Sequence, residues 1–283
     1  MSVQNNLSVN TSHYNQLYEG LDIAELVRKF QNPEKLFERS QRKVLSTKAF
    51  FSGAFEQELS NKCVLEVGAG NGLLTCLMSH FGALVTAHDI SPKSANLISE
   101  LATALNFKVA TYHDNLTELP VDDRSFDFVV GKSILHHLTH ELEEQYYQKI
   151  AALLKDTGQA RFVEPAHNMP FLRKLLLLLP SGSRPSILKK QAYKTFKNND
   201  PHPERDNSSK HFRAVASKYF YQVDIKPFGI EQSIIAFFPK GWRGPKLEAF
   251  LQKILSFLPS WFHHKLAKVQ VISCAGPKRF PKA

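Results

Sequence analysis

Cysteine is scarce. The 283 residues hold three, Cys63, Cys76 and Cys274, an odd count without metal-like spacing. That excludes a disulfide framework and leaves reduced thiols as the expectation. No long apolar run occurs either: the strongest, Met169–Pro180, is broken by Arg173 and Lys174 and is too short to span a bilayer. Met1–His13 has neither the basic start nor the apolar core of a secretory signal. No His/Asp/Cys cluster has ligand spacing, so no metal is expected. No repeat is visible, and no low-complexity tract beyond Leu175–Leu179. These absences point to a soluble, cytoplasmic protein, and its apolar content of 43% is enough for a substantial core.

Charge is unevenly spread. Residues 1–150 carry 13 Lys+Arg against 18 Asp+Glu, whereas residues 151–283 carry 23 against 8. The whole net charge of +10 therefore belongs to the C-terminal part. Such a part attracts phosphate, anionic lipid heads or an acidic substrate, or simply keeps the surface solvated.

Residues 13–59 read as helical, with Leu21, Ile23, Leu26, Val27 and Phe30 at helical spacing. From Cys63 the pattern changes. Short β-rich runs at 63–67, 83–88, 107–112, 126–130 and 158–163 alternate with helices, the second opening at Ser91-Pro92. This alternation implies a Rossmann-like α/β fold, a doubly wound and mostly parallel sheet. A helix over 208–220, a strand over 221–227, a helix over 247–258 and a β run over 269–274 add an antiparallel C-terminal edge. The expected organisation is a helical segment over 1–60, on the lid and acceptor side, and an α/β domain over 61–283. Helical insertions fall at about 166–215 and 240–267.

The chemistry concentrates after the first strand. Gly68, Gly70 and Gly72 recur at alternate positions in Glu66-Val67-Gly68-Ala69-Gly70-Asn71-Gly72, between strand and helix. Glycines there permit a sharp turn and close approach of a ligand to the main chain. Leu73 stands where a dinucleotide fingerprint needs glycine, which counts against NAD. Asp89 ends the second strand, where a carboxylate can accept both ribose hydroxyls; a helix-capping role would also explain it. Asp114 and Asn115 follow the third strand, placed for an adenine amino group, with Ile90 able to cover the ring; an Asx turn is the alternative.

Residues 63–138 resemble the class I S-adenosylmethionine-dependent methyltransferases, and among them the small-molecule, type 11-like group. The resemblance is carried by the glycine turn, by Leu119-Pro120-Val121-Asp122-Asp123-Arg124-Ser125-Phe126-Asp127-Phe128-Val129, and by Gly131-Lys132-Ser133-Ile134-Leu135-His136-His137-Leu138. It implies S-adenosylmethionine as cofactor, with Glu66, Gly68, Ala69, Gly70 and Gly72 at the methionine part. Asp89 would hold the ribose, Asp114 and Asn115 the adenine, and the backbone at Gly131 and Lys132 would lie under the sulfonium. Asp127 reads as a structural strand-start residue.

An electrophilic methyl donor asks the protein mainly for positioning, worth about 7–11 kcal/mol of barrier. A base is needed only for a protonated acceptor, and His136 and His137 lie where one would act. Tyr14 and Tyr18 are candidate aromatic lids. Glu164-Pro165 followed by Asn168-Met169-Pro170 resembles a segment of some lipid and secondary-metabolite methyltransferases. Glu164 and His202, with Glu204 and His211 nearby, are candidate acceptor contacts. The expected reaction methylates oxygen or nitrogen of a small, apolar or amphiphilic metabolite. Leu175–Leu179, Phe250–Leu258 and Trp261-Phe262, with Lys189, Lys190, Lys194, Lys197 and Lys265 nearby, are either core or a surface for peripheral contact with an anionic membrane. Nucleic-acid methylation is the alternative raised by the basic half. Against it, strand four does not run into Asn/Asp-Pro-Pro-aromatic and no Pro-Cys motif is present. A non-catalytic cofactor-binding protein is the third reading. Acceptor identity and oligomeric state are open.

Overall fold

A computed structural model describes residues 2–169, 171, 174, 177–180, 184–198, 200–235 and 237–280. Four N-terminal helices, α1 (Val3–Glu19), α2 (Ile23–Phe30), α3 (Pro33–Lys43) and α4 (Leu45–Phe50), precede the sheet. Then β1 (Cys63–Val67), α5 (Leu73–His80), β2 (Leu84–His88), α6 (Pro92–Leu105), β3 (Val109–Tyr112), β4 (Phe126–Lys132), α7 (His140–Leu153) and β5 (Leu154–Pro165) alternate. After an insertion containing the helix Lys190–Asn198, the helix Ser209–Tyr219 leads into β6 (Phe220–Phe228), and β7 (Val269–Pro277) ends the sheet.

The seven strands lie in the order β3-β2-β1-β4-β5-β7-β6. Strands β1 to β5 are parallel, and β7 runs antiparallel between β5 and β6. The order reverses between β1 and β4, and there the carboxyl ends of the strands open a crevice. Both faces of the sheet are covered, so its central strands are apolar on both sides. Leu65, Val67, Val129 and Phe162 pack with α7 and the helix Ser209–Tyr219; Val64, Phe128, Val130 and Val271 pack with α4 and α5. Ser91 caps α6 with Pro92 in its first turn, and Asn106 ends it in the left-handed region.

Several boundaries move from the sequence reading. The third strand begins at Val109 because Phe107 closes α6 through its N–H on the Ala102 carbonyl, 3.0 Å. The fifth begins at Leu154, directly where α7 stops, and pairs with β4 through a bulge at Phe126/Phe128. Asp127 ties β1 to β5, accepting from the Cys63 amide at 2.9 Å and from Lys155 at 2.8 Å.

The N-terminal 60 residues divide between two tasks. Helices α2 to α4 are built onto the sheet core through Leu26, Phe30, Phe50 and Phe51. Arg161 on β5 fastens them, donating to the carbonyls of Phe50 and Ser52 at 2.8 and 2.7 Å while lying 4.6 Å from the Phe55 ring centroid. Helix α1 instead packs along α6 and buries two amides, Asn6 and Asn10, rather than an apolar stripe. Of the Leu175–Leu179 run, Leu175 and Leu176 lie outside the described residues, as does Arg173.

Candidate active site

The three turn glycines all have positive φ, +72° at Gly68, +60° at Gly70 and +78° at Gly72, a region costly for a residue with Cβ. The turn is pinned to the end of β2. The amides of Gly68 and Ala69 donate to the His88 carbonyl at 2.8 and 3.0 Å. The Gly70 amide donates to Asp89 Oδ2 at 2.8 Å, and the Ser94 hydroxyl donates to the Gly70 carbonyl at 2.6 Å. A Cβ on Gly70 would lie 3.1 Å from the Tyr18 hydroxyl, and one on Gly68 would lie 3.1 Å from Ile134. The glycines therefore leave a cradle, roofed by the α1 tyrosines and walled by the segment after β4.

That cradle is the floor of a cavity of about 440 Å³, lined among others by Glu66, Asp89, Ile90, Lys132, Ile134 and His137, a size suited to a small ligand. Asp89 Oδ1 accepts from the Ser91 amide at 2.9 Å. Each carboxylate oxygen thus has one backbone partner and retains accepting capacity for a ligand hydroxyl. Burial raises the Asp89 pKa, while the Ser91 and Gly70 amides oppose the rise. Glu66 is buried and accepts from the Thr75 hydroxyl at 2.6 Å; burial pushes its carboxyl up to about 7, opposed by that bond and by the Lys132 charge. Burial in turn lowers Lys132, opposed by Glu66. His88 donates Nε2–H to the Asp114 carbonyl at 2.6 Å, leaving Nδ1 buried without a partner. Burial takes its pKa down to about 4.

The donor set fits S-adenosylmethionine: an open glycine backbone, a buried acid for vicinal hydroxyls and a buried carboxyl for an ammonium. Two assigned contacts are not brought into this cavity. Asp114 turns its carboxylate to solvent, 60% exposed, because its carbonyl is engaged by His88. Asn115 caps a short turn, accepting from the Thr117 amide at 3.4 Å. His88, Ile90 and Tyr146 line the cavity on that side instead. Gly131 and Gly72 stand behind the lining. A Cβ on Gly131 would come within 2.8 Å of Ile134 and 2.9 Å of Phe162, so its smallness serves packing.

Beyond β4 the chain turns sharply at Ser133, φ +59°. Glu164 shapes this turn and is not an acceptor contact, since both its oxygens are engaged. Oε1 accepts from the amides of Ile134 and Leu135 at 2.9 and 2.8 Å, and Oε2 meets His136 Nδ1 at 2.6 Å. Asn6 Nδ2 donates to the His137 carbonyl at 3.0 Å, so α1 grips the same turn. The Tyr14 hydroxyl sits 3.2 Å from His137 Nε2 and 3.3 Å from Nδ1, and Tyr14 stacks on Tyr18 at 5.8 Å. Burial lowers the His137 pKa well below the ordinary imidazole value, with His136 and His202 adding to the effect; burial raises that of Tyr14.

His202 arrives from the insertion, its ring 4.0 Å from His137 and stacked 5.0 Å from His136. A second cavity of about 650 Å³ opens there, lined by His136, His202, Tyr193, Phe196, Lys197 and Glu204 among others. His211 is not at this cavity's wall. Its Nε2 lies 2.7 Å from Glu143 Oε2, in a buried cluster with Arg205. Glu204 pairs with Lys197 at 2.8 Å on the cavity rim. Asn6, Asn10, Asp200 and Arg205 were not legible as site residues; only the polarity of α1 at buried helical positions could have flagged the first two.

Residues 64–158 match the family described as methyltransferase domain. The ubiquinone biosynthesis O-methyltransferase of Xanthomonas campestris pv. campestris (strain B100) is 37% identical over 99 residues, covering 34% of this chain and 39% of that protein. The protein of the same description from Coxiella burnetii (strain Dugway 5J108-111) is 28% identical over 104 residues, 37% of this chain and 44% of that one. The chain thus matches less than half the length of these relatives. Among solved structures, the PH0226 protein of Pyrococcus horikoshii OT3 superposes with TM-score 0.54 at 16% identity, covering 85% of this chain and 91% of that one. A SAM dependent methyltransferase of Archaeoglobus fulgidus gives 0.52 at 14% identity, covering 87% and 95%. These two likenesses concern the fold alone. The sequence match to a methyltransferase domain falls on the same stretch that builds the glycine cradle and its facing acid.

Proposed function

We propose that the chain methylates an oxygen of a small apolar or amphiphilic acceptor, which enters through the second cavity and meets the donor at the histidine turn. The observation that carries this reading is the Tyr14–His137 pair, which lines the donor cavity while His137 packs on His136 and His202 of the second cavity's wall. The description shared by the Xanthomonas and Coxiella relatives supports oxygen over nitrogen. S-adenosylmethionine supplies an electrophilic sulfonium methyl. Glu66 would hold its amino group and Asp89 its ribose. Tyr14 and Tyr18 would cover it with aromatic faces that favour a cation.

An acceptor hydroxyl has to lose its proton as it attacks, and the histidine turn is where that loss is assisted. Burial keeps His137 neutral, and Tyr14, held protonated, orients its ring. So weak a base suits an already acidic hydroxyl such as a phenol, with pKa about 10 in its unperturbed form. Tyr14→Phe is expected to lower kcat by about 10- to 100-fold with the affinity for S-adenosylhomocysteine unchanged. Incubating the chain with labelled donor and matched panels of apolar phenols, amines and RNA tests the substrate class. Label on the phenols supports it; label on RNA or amines alone sinks it.

Glu66 gives donor binding a pH dependence of defined sign. With a free-state pKa of about 7, its carboxylate attracts an ammonium above that pH and is neutral below it. Affinity for S-adenosylhomocysteine is therefore expected to fall as pH drops from about 8 to about 6. Glu66→Gln should bind weakly and show a flat profile across that range.

Peripheral membrane contact is part of the same reading. Phe250 and Ile254 on the helix Pro245–Leu255, Phe257 just after it and Trp261 on the helix Ser260–Leu266 are 59%, 47%, 82% and 58% exposed. On the opposite side Leu251, Leu255 and Leu266 make a small core. Lys246 and Lys253 on the first of these helices and Lys265 on the second add positive charge, a combination of exposed apolar and basic side chains that suits the surface of an anionic bilayer. Among the described residues no helix is long and apolar enough to cross one. Co-sedimentation with vesicles containing anionic lipid should fall about tenfold or more in Phe257→Asp/Trp261→Asp; equal binding by the variant contradicts the contact.

A further inference from the structure

Three imidazoles at one point are more than a single base requires. His136 and His137 come from the turn after β4, and His202 from an insertion more than sixty residues later. One ring nitrogen from each lies within 4.8 Å of the others. We propose that His136, His137 and His202 form a binding site for a divalent transition ion of the zinc class, with an open position toward the second cavity.

The second partners of the rings argue for this more strongly than proximity does. His136 Nδ1 is fixed by Glu164 Oε2 at 2.6 Å, and Glu164 is wholly buried and braced by backbone amides. His202 Nδ1 is held by Asp200 Oδ1, and His137 by the Tyr14 hydroxyl. Among the described residues, neither His136 Nε2 nor His202 Nε2 has a hydrogen-bond partner. At His136 and His202 a carboxylate on one nitrogen, with the other free, is how proteins orient metal-ligating histidines, whereas the Tyr14 hydroxyl lies within 3.3 Å of both nitrogens of His137. Tetrahedral coordination at 2.0–2.1 Å sets ligand nitrogens about 3.4 Å apart. Neutral nitrogen ligands without a carboxylate among them select zinc-like ions over magnesium or calcium. The sequence spacing gave no hint of this, because the third ligand is brought in by tertiary structure alone.

The ion's role rests on the proposed transfer; the site itself does not. An acceptor hydroxyl at the open position would be acidified, its proton leaving to solvent. Its oxygen pair would form the O–CH3 bond as the C–S pair returns to sulfur. His137 would then assist by ligation instead of accepting the proton itself.

The test is Zn2+ titration of the tag-free full chain, stripped with chelator, against a chromogenic competitor. Co2+ spectra and S-adenosylhomocysteine affinity are read in parallel. One ion per chain with tetrahedral Co2+ bands is expected. His202→Ala should weaken Zn2+ binding more than 100-fold and Asp200→Asn by about 10- to 100-fold, each with nucleoside affinity unchanged. Surface control His264→Ala should bind Zn2+ as the wild type does. Wild-type affinity no tighter than that of His202→Ala, or a Co2+ spectrum of octahedral type, overturns the site. Zn2+ binding without any nucleoside binding would instead sink the donor reading and leave the ion site standing.

Discussion

Asp89→Ala is expected to weaken S-adenosylhomocysteine binding by roughly 100- to 1,000-fold. Two hydrogen bonds from ribose hydroxyls to a charged acceptor contribute about 1.5–3 kcal/mol each, and about 1.4 kcal/mol is a tenfold change in affinity. The loss should exceed that from any lid substitution, because Asp89 also sets the cradle: it holds the Gly70 amide at 2.8 Å and the Ser91 amide at 2.9 Å. Asp89→Asn separates the two roles. One oxygen remains to accept a backbone N–H, so the thermal midpoint should stay near that of the wild type while binding still falls steeply. Burial opposes ionisation of this acid in the free protein, which favours the neutral amide before ligand arrives. Calorimetry and a melting curve on both variants check this. Near-wild-type affinity in Asp89→Ala would remove the ribose role.

Arg205→Ala should be the most destabilising single change at the histidine turn. The Arg205 side chain is 1% exposed and the Glu143 side chain 0%, with Nη2 2.6 Å from Glu143 Oε2. Nη1 donates to the carbonyls of Leu135 and Leu138 at 2.7 and 2.8 Å. One guanidinium thus clamps the insertion to α7 and to the turn bearing His136 and His137. Removing it leaves the buried Glu143 carboxylate with His211 Nε2, at 2.7 Å, as its remaining side-chain partner among the described residues, a cost of about 3–5 kcal/mol, or a fall in Tm of about 10 °C at this chain length. Lysine should not rescue it, since an ammonium cannot span three acceptors in fixed directions. Arg205→Met combined with Glu143→Leu should recover much of the loss, because the orphaned charge goes with its partner. A Tm within a degree or two of wild type for Arg205→Ala would show that the clamp contributes little.

The donor half was legible because its determinants are local. Glycines at alternate positions after a β run, and an acid ending the next, are fixed by a few neighbouring residues, and the sheet only brings them face to face. Asp114 and Asn115 follow the third strand as the sequence reading has them, but their side chains do not line the cavity. The buried His88 ring takes the Asp114 carbonyl, and the side chain swings to solvent. Helix α1 hid its role for a different reason. It docks through Asn6 and Asn10 onto a carbonyl of the histidine turn, and buried amides leave no apolar period to read. Glu164 read as a substrate contact because Glu164-Pro165 with Asn168-Met169-Pro170 resembles a segment of other methyltransferases. Its lone pairs are in fact taken up by the turn it supports. His202 was named as an acceptor contact, but its packing on His136 and His137 and its partner Asp200 were not legible, since only the Arg205 clamp and the fold of the insertion deliver them.

The cradle between β1 and β2 is expected to grip an adenosyl group. Calorimetric titration of S-adenosylhomocysteine and of NADH into the wild-type chain tests it most directly. The expected result is one site of micromolar affinity for the first and no heat for the second. No heat from S-adenosylhomocysteine, or equal binding of NADH, would contradict it.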